Sequence, residues 1–581
     1  MADILIKNGR VIDGTGAPAF AADVRVKDGI IAEIGLNLGT KGERVFDAAG
    51  CYVAPGFIES HTHFDGTMWW QNDLDPLPGN GATTIIMGNC GFACAPISDD
   101  VAASTEMMKI FSFFEDIPLA PFREKVKWDW RSWSEYKASM TRSVKLPANY
   151  AAYCGHVALR LAVLGVEAWE RAATPEEISR MAALLEDALA AGALGLSSNL
   201  LDYDGQNRPI PSLNADDAEL SALIDVLARY PAATFQVIVD IFVRLSAPES
   251  VERIARLTEG KPVRVQWAGM PVLQWQQGTG ITQKMQAIHE RLGKEGRDFW
   301  TGHAHRPPSA VASLNHSLVF AQSKCFVWHE VVLAETQEEK LALLKDPEWR
   351  ARARIDLEQN AIKQSPLADG EKLFFYNSDN GVGPINCTAA DFARELGVSY
   401  SDAMAEWYVR NGLNSTVHFA PWPIDDKILI KLFHDPKAVG NISDAGAHGQ
   451  MLCGGGENIL LFTKYVKEQG SISIEQAVHV LSGKLAGHFN LLDRGEIKLG
   501  KKGDIVVFNL DEIGYRPMKK AFDVPDEHAQ NGLTWRWTRD AAPMRLTLVN
   551  GTPTFEDGHF TGALPGEMLS PALEPMRLAA E

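Results

Sequence analysis

The chain has no run of apolar residues approaching the roughly 18 that cross a bilayer. Its first residues, Met1-Ala2-Asp3-Ile4, hold no basic segment followed by an apolar one. Neither a membrane span nor an export signal is expected, and a cytoplasmic location is. Positive charge is in deficit: 56 Lys and Arg stand against 74 Asp and Glu, a net charge of −18. A surface of that sign disfavours nucleic acid and anionic membranes as partners, which leaves a small molecule as the expected one, with a homo-oligomer left open. Cysteine is sparse, seven in all, scattered and odd in number. That usage fits reduced thiols rather than a disulfide framework. Repeats and low-complexity tracts are missing. So is a glycine-rich phosphate loop after the first strand-like segment, the main signature of a dinucleotide site in a doubly wound sheet.

What is present is a large globular composition, 46% hydrophobic and 22% charged over 581 residues. The length suits a (β/α)8 barrel of roughly 250–400 residues plus a smaller module. Both ends are rich in short strands and turns. Asn8-Gly9, Asp28-Gly29 and Asn550-Gly551 each sit between alternating apolar residues, the strongest local signal for a hairpin. One small β-sandwich built from residues 1–56 and 489–581 is expected. The middle, 57–488, alternates strands and helices in the manner of parallel βαβ units. Thr174-Pro175-Glu176-Glu177 reads as a capping box with proline in the first turn, and Gly192 as the stop of that helix. Ile178, Met181, Leu185 and Leu189 mark its apolar face. Strands follow near Leu194–Ser197, Thr234–Val239, Val263–Trp267 and Asp298–Trp300. From about 306 to 439 the rhythm breaks, and a helical insertion over the barrel mouth is expected.

The sharpest chemical signal is an apolar strand that ends in His61-Thr62-His63. Residues two apart on a strand point the same way, so both imidazoles face one side, as a divalent metal of intermediate softness requires. Taken alone, two histidines in a turn explain the pattern equally.

The wider sequence resembles the amidohydrolase superfamily, and within it the N-acyl-D-amino-acid deacylase branch. The blocks that carry the resemblance are Val53–His63, Gly81–Phe92, Glu115–Pro118, Trp128–Trp130, Gly192–Ser197, Ile442–His448, Asp493–Gly495 and Gly503–Val506. The resemblance implies a (β/α)8 barrel with a split β-sandwich. It implies His61, His63 and Cys90 as metal ligands, with Cys90 taking the place of a carboxylated lysine. It also implies Asp444 as a metal-linked general base and acid. Cys94 lies outside the motif and reads as structural. Where the branch offers histidines on strands five and six, this chain has Gln236 and Gln266, weak neutral ligands for zinc. One tight zinc ion is therefore expected rather than two. His156, His303, His305 and His448 are further candidates for the metal or its surroundings. Trp69, Trp70 and Tyr203 are candidates for an apolar acyl pocket, and Arg160 and Arg306 for gripping a substrate carboxylate. The implied reaction is hydrolysis of an amide C–N bond, in an N-acylated amino acid or similar small amide. A cyclic amide, lactone or ester on the same fold is the alternative, and a metal-poor binding protein a more remote one.

Overall fold

The computed structural model describes residues 3–572 apart from 316, 364, 528 and 530. Strands from the two ends share one nine-stranded sheet. Its seam is the antiparallel pairing of Tyr52–Pro55 with Ile505–Phe508. Alternate residues of these strands bury one apolar cluster that includes Ile4, Ile6, Val24, Val53, Ile505 and Leu548, the period-2 burial expected of strands.

Two of the three predicted turns form. Asp28 and Gly29 take φ of 51° and 79° between Phe20–Lys27 and Ile30–Gly35. Asn550 and Gly551 take 49° and 76° between Leu546–Val549 and Thr552–Glu556. Positive φ at both central residues is what a two-residue hairpin needs. Asn8-Gly9 corrects the reading. It lies inside one strand, Ile4–Val11, as a register shift against Phe20–Lys27. Asn8 has φ 63° and its N–H donates to Asp23 Oδ1 at 2.8 Å. A Cβ on Gly9 would meet Val53 Cγ2 at 2.4 Å. The pair therefore makes a bulge that lets two strands approach, a second use of the same backbone freedom.

In the middle, parallel pairs succeed one another. Phe57–Glu59 pairs with Ala82–Met87, and that strand with Asn149–Ala152. Cys154–Gly155 then leads through Gly195–Leu200, Thr234–Val239, Arg264–Ala268 and Phe299–Gly302 to Ala438–Val439. Ile442–Ala445 finally pairs with His61–Thr62, back at the first strand. With 57–62, 149–155 and 438–445 each counted as one interrupted strand, these make eight strand positions, called first to eighth below in chain order. Helices Pro175–Ala191, Asp217–Leu227, Ala247–Leu257 and Ile281–Lys294 run between them. The first of these starts on the predicted capping box of Thr174 and Glu177, ends on Gly192 at φ 100°, and buries Met181, Leu185 and Leu189.

The segment between the seventh and eighth strands has its own core, around Trp328, Trp349, Phe375, Met404 and Trp407. It is not wholly helical. Val311–Ala312, Thr416–Phe419 and Leu373–Asn377 form a three-stranded antiparallel sheet among its helices. It ends before helix Asp426–His434, whose Ile428, Leu429, Leu432 and Phe433 join the main core. A hairpin, Met518–Pro525 with Leu533–Arg539, reaches across to the loop after the eighth strand, where Trp537 N donates to Gly449 O at 2.8 Å. Lys520 Nζ donates to Asn414 O at 2.6 Å, which ties the insertion to the same hairpin. Among the described residues no helix is long and apolar enough to cross a membrane.

Gly9→Ala tests the bulge. The added methyl must displace Val53 on the seam strand, so the variant is expected to lose about 1–3 kcal/mol in urea unfolding. Unchanged stability would show that the strands do not need that approach.

Candidate active site

His61 and His63 leave the end of the first strand on the same side, their rings 5.1 Å apart. Cys90 follows the second strand in a left-handed conformation, φ 58°. Such a backbone costs a non-glycine residue of order 1–3 kcal/mol and persists only where its surroundings fix it. Here they do. Ser197 Oγ donates to Gly88 O at 2.6 Å and accepts from Gly91 N at 3.1 Å. Asn89 Nδ2 donates to Thr62 O at 3.2 Å, and Cys90 N donates to Gln236 Oε1 at 3.3 Å. Asp444 is also left-handed, φ 53°, at a register shift in the eighth strand's pairing with the first. Ser443 Oγ, beside it, donates to the buried Glu59 carboxylate at 2.6 Å.

Four donor atoms converge. His61 Nε2 lies 3.1 Å from Cys90 Sγ and 3.4 Å from Asp444 Oδ1. His63 Nε2 lies 3.7 Å from the same sulfur and 3.8 Å from the same oxygen. Donors at 2.0–2.3 Å from a tetrahedral zinc ion stand about 3.3–3.8 Å apart. Each imidazole therefore stands near zinc-ligand spacing from both the thiol and the carboxylate. His61, His63 and Cys90 form a group whose donor atoms all lie within 4.8 Å of one another, and Asp444 stands beside it against the two imidazoles. His63 Nδ1 faces Glu115 Oε1 at 3.1 Å, the type of outer partner that orients an imidazole and raises its basicity.

Burial dominates the electrostatics. It depresses His61 to about 4 and pushes the Cys90 thiol up to about 12. It also opposes charge on His63, but Glu115 and Cys90 outweigh it and hold that imidazole above its ordinary range. Burial pushes Asp444 up, yet His61, His63, His448 and Arg306 together bring its carboxyl below the usual value. With its side chain 35% exposed, Asp444 is open to an incoming molecule, and Cys90 beside it is half-buried. Glu59, wholly buried, is raised to about 7 by its burial.

The remaining predicted residues divide. His448 is half-buried, within electrostatic reach of Asp444 and Glu115. Gln236 faces the site through the Cys90 N–H. Gln266 does not, because His488 Nε2 bonds its Oε1 at 3.0 Å. His303 and His305 turn to Phe433 on the helix layer, at ring distances of 5.6 and 5.5 Å. His305 Nε2 there accepts from Asn441 N at 2.9 Å. His156 and Arg160 are corrections to the sequence reading. Both pair with the buried Glu219, His156 Nε2 at 2.7 Å, and His156 Nδ1 bonds Ser198 Oγ at 2.8 Å. Burial pushes Glu219 up, but these two partners hold it below its ordinary value. His156 has no nitrogen to spare for a metal, and Arg160, fully buried against Glu219, has no free face for a substrate carboxylate. Trp69 stacks on Trp130 at 5.9 Å, and both Trp69 and Trp70, half-buried, pack against the main core. Tyr203 lies under the Arg244 guanidinium, 4.2 Å from ring to cation. Arg306 N donates to Glu457 Oε1 at 2.6 Å, and its Nη1 donates to Ser309 O at 3.1 Å. Cys94 is buried with its thiol toward Asp65 O at 3.8 Å. Sequence reasoning gave no role to Glu115 or Glu457. Glu115 ends a helix in a block noted only for its resemblance, and nothing local to it points to His63.

Mixed α/β architecture with a histidine, cysteine and aspartate cluster at the ends of parallel strands defines the class. The profile of the Amidohydrolase family matches residues 44–555, and the chain belongs to that family. It is a hydrolase of carbon–nitrogen bonds other than peptide bonds. An N-acyl-D-aspartate deacylase of Alcaligenes xylosoxydans xylosoxydans is 35% identical over 585 residues, 98% of this chain and 95% of that protein. An N-acyl-D-glutamate deacylase from Bordetella bronchiseptica, solved with zinc and a phosphonate mimic of the tetrahedral intermediate, has a TM-score of 0.64 at 23% identity. The alignment covers 98% of this chain and 99% of that one. A D-aminoacylase structure has a TM-score of 0.65 at 22% identity and covers 98% and 100%. The binuclear centre of that enzyme is described as activated by one metal and attenuated by a second.

Glu219→Ala separates the structural network from the site. It leaves Arg160 and His156 buried without their partner, so stability is expected to fall by about 3–5 kcal/mol, while zinc content per folded molecule is unchanged. Loss of zinc at full stability would place His156 in the metal site after all.

Proposed function

We propose that the chain hydrolyses the amide bond of an N-acylated amino acid or similar small amide, at the C-terminal rim of a (β/α)8 barrel formed by the eight parallel strands. The convergence of His61 Nε2, His63 Nε2, Cys90 Sγ and Asp444 Oδ1 carries this reading. Two of its relatives, an N-acyl-D-aspartate deacylase and an N-acyl-D-glutamate deacylase, support the substrate class. His61, His63 and Cys90 would hold one zinc ion with Asp444 beside its open position, and Glu115 would orient the His63 ring. An ion there supplies Lewis acidity toward a carbonyl oxygen and toward water.

Asp444 does the proton work. Its carboxylate is partly open to the rim, flanked by imidazoles that keep it ionised, and so is ready to take a proton from the attacking water. The same group then returns that proton to the leaving nitrogen, so one carboxylate serves both halves of the reaction. Its left-handed backbone, pinned through Ser443 and Glu59, keeps the oxygen where both transfers occur. Gln236 and Gln266 do not offer a second ion an imidazole pair. Gln236 uses its oxygen on the Cys90 N–H and Gln266 on His488.

Asp444→Asn is expected to lower turnover by about 10²–10⁴-fold, the range of a lost general acid–base group, with most of the zinc retained. A near-normal rate excludes Asp444 as the base. A panel of N-acyl-D- and N-acyl-L-amino acids against lactones and cyclic amides identifies the bond. Turnover of lactones alone would replace the amide reading.

Elemental analysis of protein purified without added metal is expected to find close to one equivalent of zinc. Two equivalents that resist mild chelation would show that a second set of ligands exists beyond these four.

A further inference from the structure

The rim beside the donor cluster holds a cavity of about 510 Å³, within the roughly 300–1,000 Å³ typical of small-molecule sites. Its walls come from the segments after the fourth, fifth and eighth strands and from the insertion, through Tyr203, Phe242, Arg244, Met451, Lys324 and Trp422. It adjoins the cluster by two routes. Arg306, whose charge acts on Asp444, donates to the carbonyl of Ser309 on the cavity wall. Met451 N bonds His448 O at 2.7 Å, in the loop that begins at Asp444.

The fifth-strand wall is built before any ligand arrives. Asp240, buried, accepts the backbone N–H groups of Phe242, Val243 and Arg244 at 3.1, 2.8 and 2.8 Å. Phe242 stacks on Trp422 at 6.3 Å, and Trp422 meets the edge of Trp275 at 6.0 Å. The result is an aromatic face shared by the barrel loop and the insertion. Beside it the Arg244 guanidinium lies over Tyr203, with Nη1 donating to the Tyr203 hydroxyl and Nη2 to Leu201 O at 3.2 Å. About half of that side chain is exposed. Its nearest carboxylate, Asp240, stands 3.6 Å away and already accepts three backbone N–H groups. The other acid of the wall, Asp202, is turned to Asn199 Nδ2 at 2.7 Å. A fixed cation next to an aromatic face, on a chain of net charge −18, is complementary to an amphipathic anion.

We propose that this cavity binds a bulky apolar or aromatic arm of the substrate that carries a carboxylate, with Phe242 and Trp422 against the arm and Arg244 on the carboxylate. Calling that ligand a substrate rests on the hydrolase reading above; its binding does not. The amide cleaved is then larger than an N-acetyl amino acid with a small side chain, and Arg244 and Trp422 determine specificity without touching the reacting atoms.

Calorimetry on the full-length, zinc-quantified protein tests this with 4-phenylbutyrate, its neutral amide and butyrate. The phenyl acid is expected to bind saturably, with the neutral amide and butyrate each about tenfold weaker or worse. Arg244→Gln should bring the acid down to the level of the amide, and Arg244→Lys should recover part of the difference. Trp422→Ala should weaken acid and amide alike, and Trp422→Phe, which keeps a ring should the alanine variant fold poorly, should weaken them less. Failure of the phenyl acid to bind at millimolar concentration overturns the proposal. Binding that ignores both positions and disappears on chelation also overturns it, because the probe then sits on the donor cluster. If no acyl-amino acid is turned over but these affinities shift as stated, the hydrolase reading fails and the cavity assignment stands. If small N-acetyl amino acids are cleaved while the phenyl acid neither binds nor inhibits, the reverse holds.

Discussion

The parallel pairing of His61–Thr62 with Ile442–Ala445 joins the first strand to the eighth, and the rim chemistry depends on it. Without that pairing Asp444 has no reason to lie near His61, from which it is separated by most of the chain. Two strand-to-strand hydrogen bonds from side chains reinforce the contact. Ser60 Oγ donates to Gly440 O at 2.6 Å, and Asn441 Nδ2 donates to Ile58 O at 2.8 Å. The register shift inside the pair matters as much as the pairing. A regular strand would send residues 443 and 445 to one face and 444 to the other. The irregularity, with Asp444 at positive φ, turns its carboxylate onto the two imidazoles instead.

The protein uses similar residue types for two opposed purposes. Around Glu219 a histidine and an arginine each satisfy one oxygen of a buried carboxylate. Around Asp444 the same kinds of group are kept incompletely satisfied. His61 Nδ1 and one oxygen each of Glu59 and Glu115 have no hydrogen-bond partner. Buried polar atoms without partners are costly, and several of them flank the donor cluster.

Periodicity and turn chemistry made much of the fold legible. The helix from Pro175 is written in its own caps and apolar face, and the strands after it follow the βαβ rhythm. The sequence misled where one local signal serves two geometries. Asn8-Gly9 has the turn residues of a hairpin, but its neighbour Val53, more than forty residues on, decides for a bulge. The sheet inside the insertion went unseen because its strands are two to five residues long and separated by helices. In the site, His61, His63, Cys90 and Asp444 were legible because each belongs to a block with a distinctive pattern. Glu115 and Glu457 were not, since their meaning lies only in what folding brings beside them. His156 and Arg160 were overread for the same reason: a histidine and an arginine one helical turn apart look available until their shared carboxylate, on another helix, is in view.

The seam of the nine-stranded sheet bears on how the chain is made. Tyr52–Pro55 pairs on one side with Ile4–Val11 and on the other with Ile505–Phe508. At ribosomal rates of about 5–20 residues per second, the second partner emerges roughly 20–90 s after the first. Throughout that interval the nascent sheet presents a raw edge that carries Val53 and Ala54, both destined for the interior. Such edges recruit other chains. Pro55 closes this strand with a residue that has no N–H to offer, so the edge is blunted at one end from the moment it leaves the ribosome.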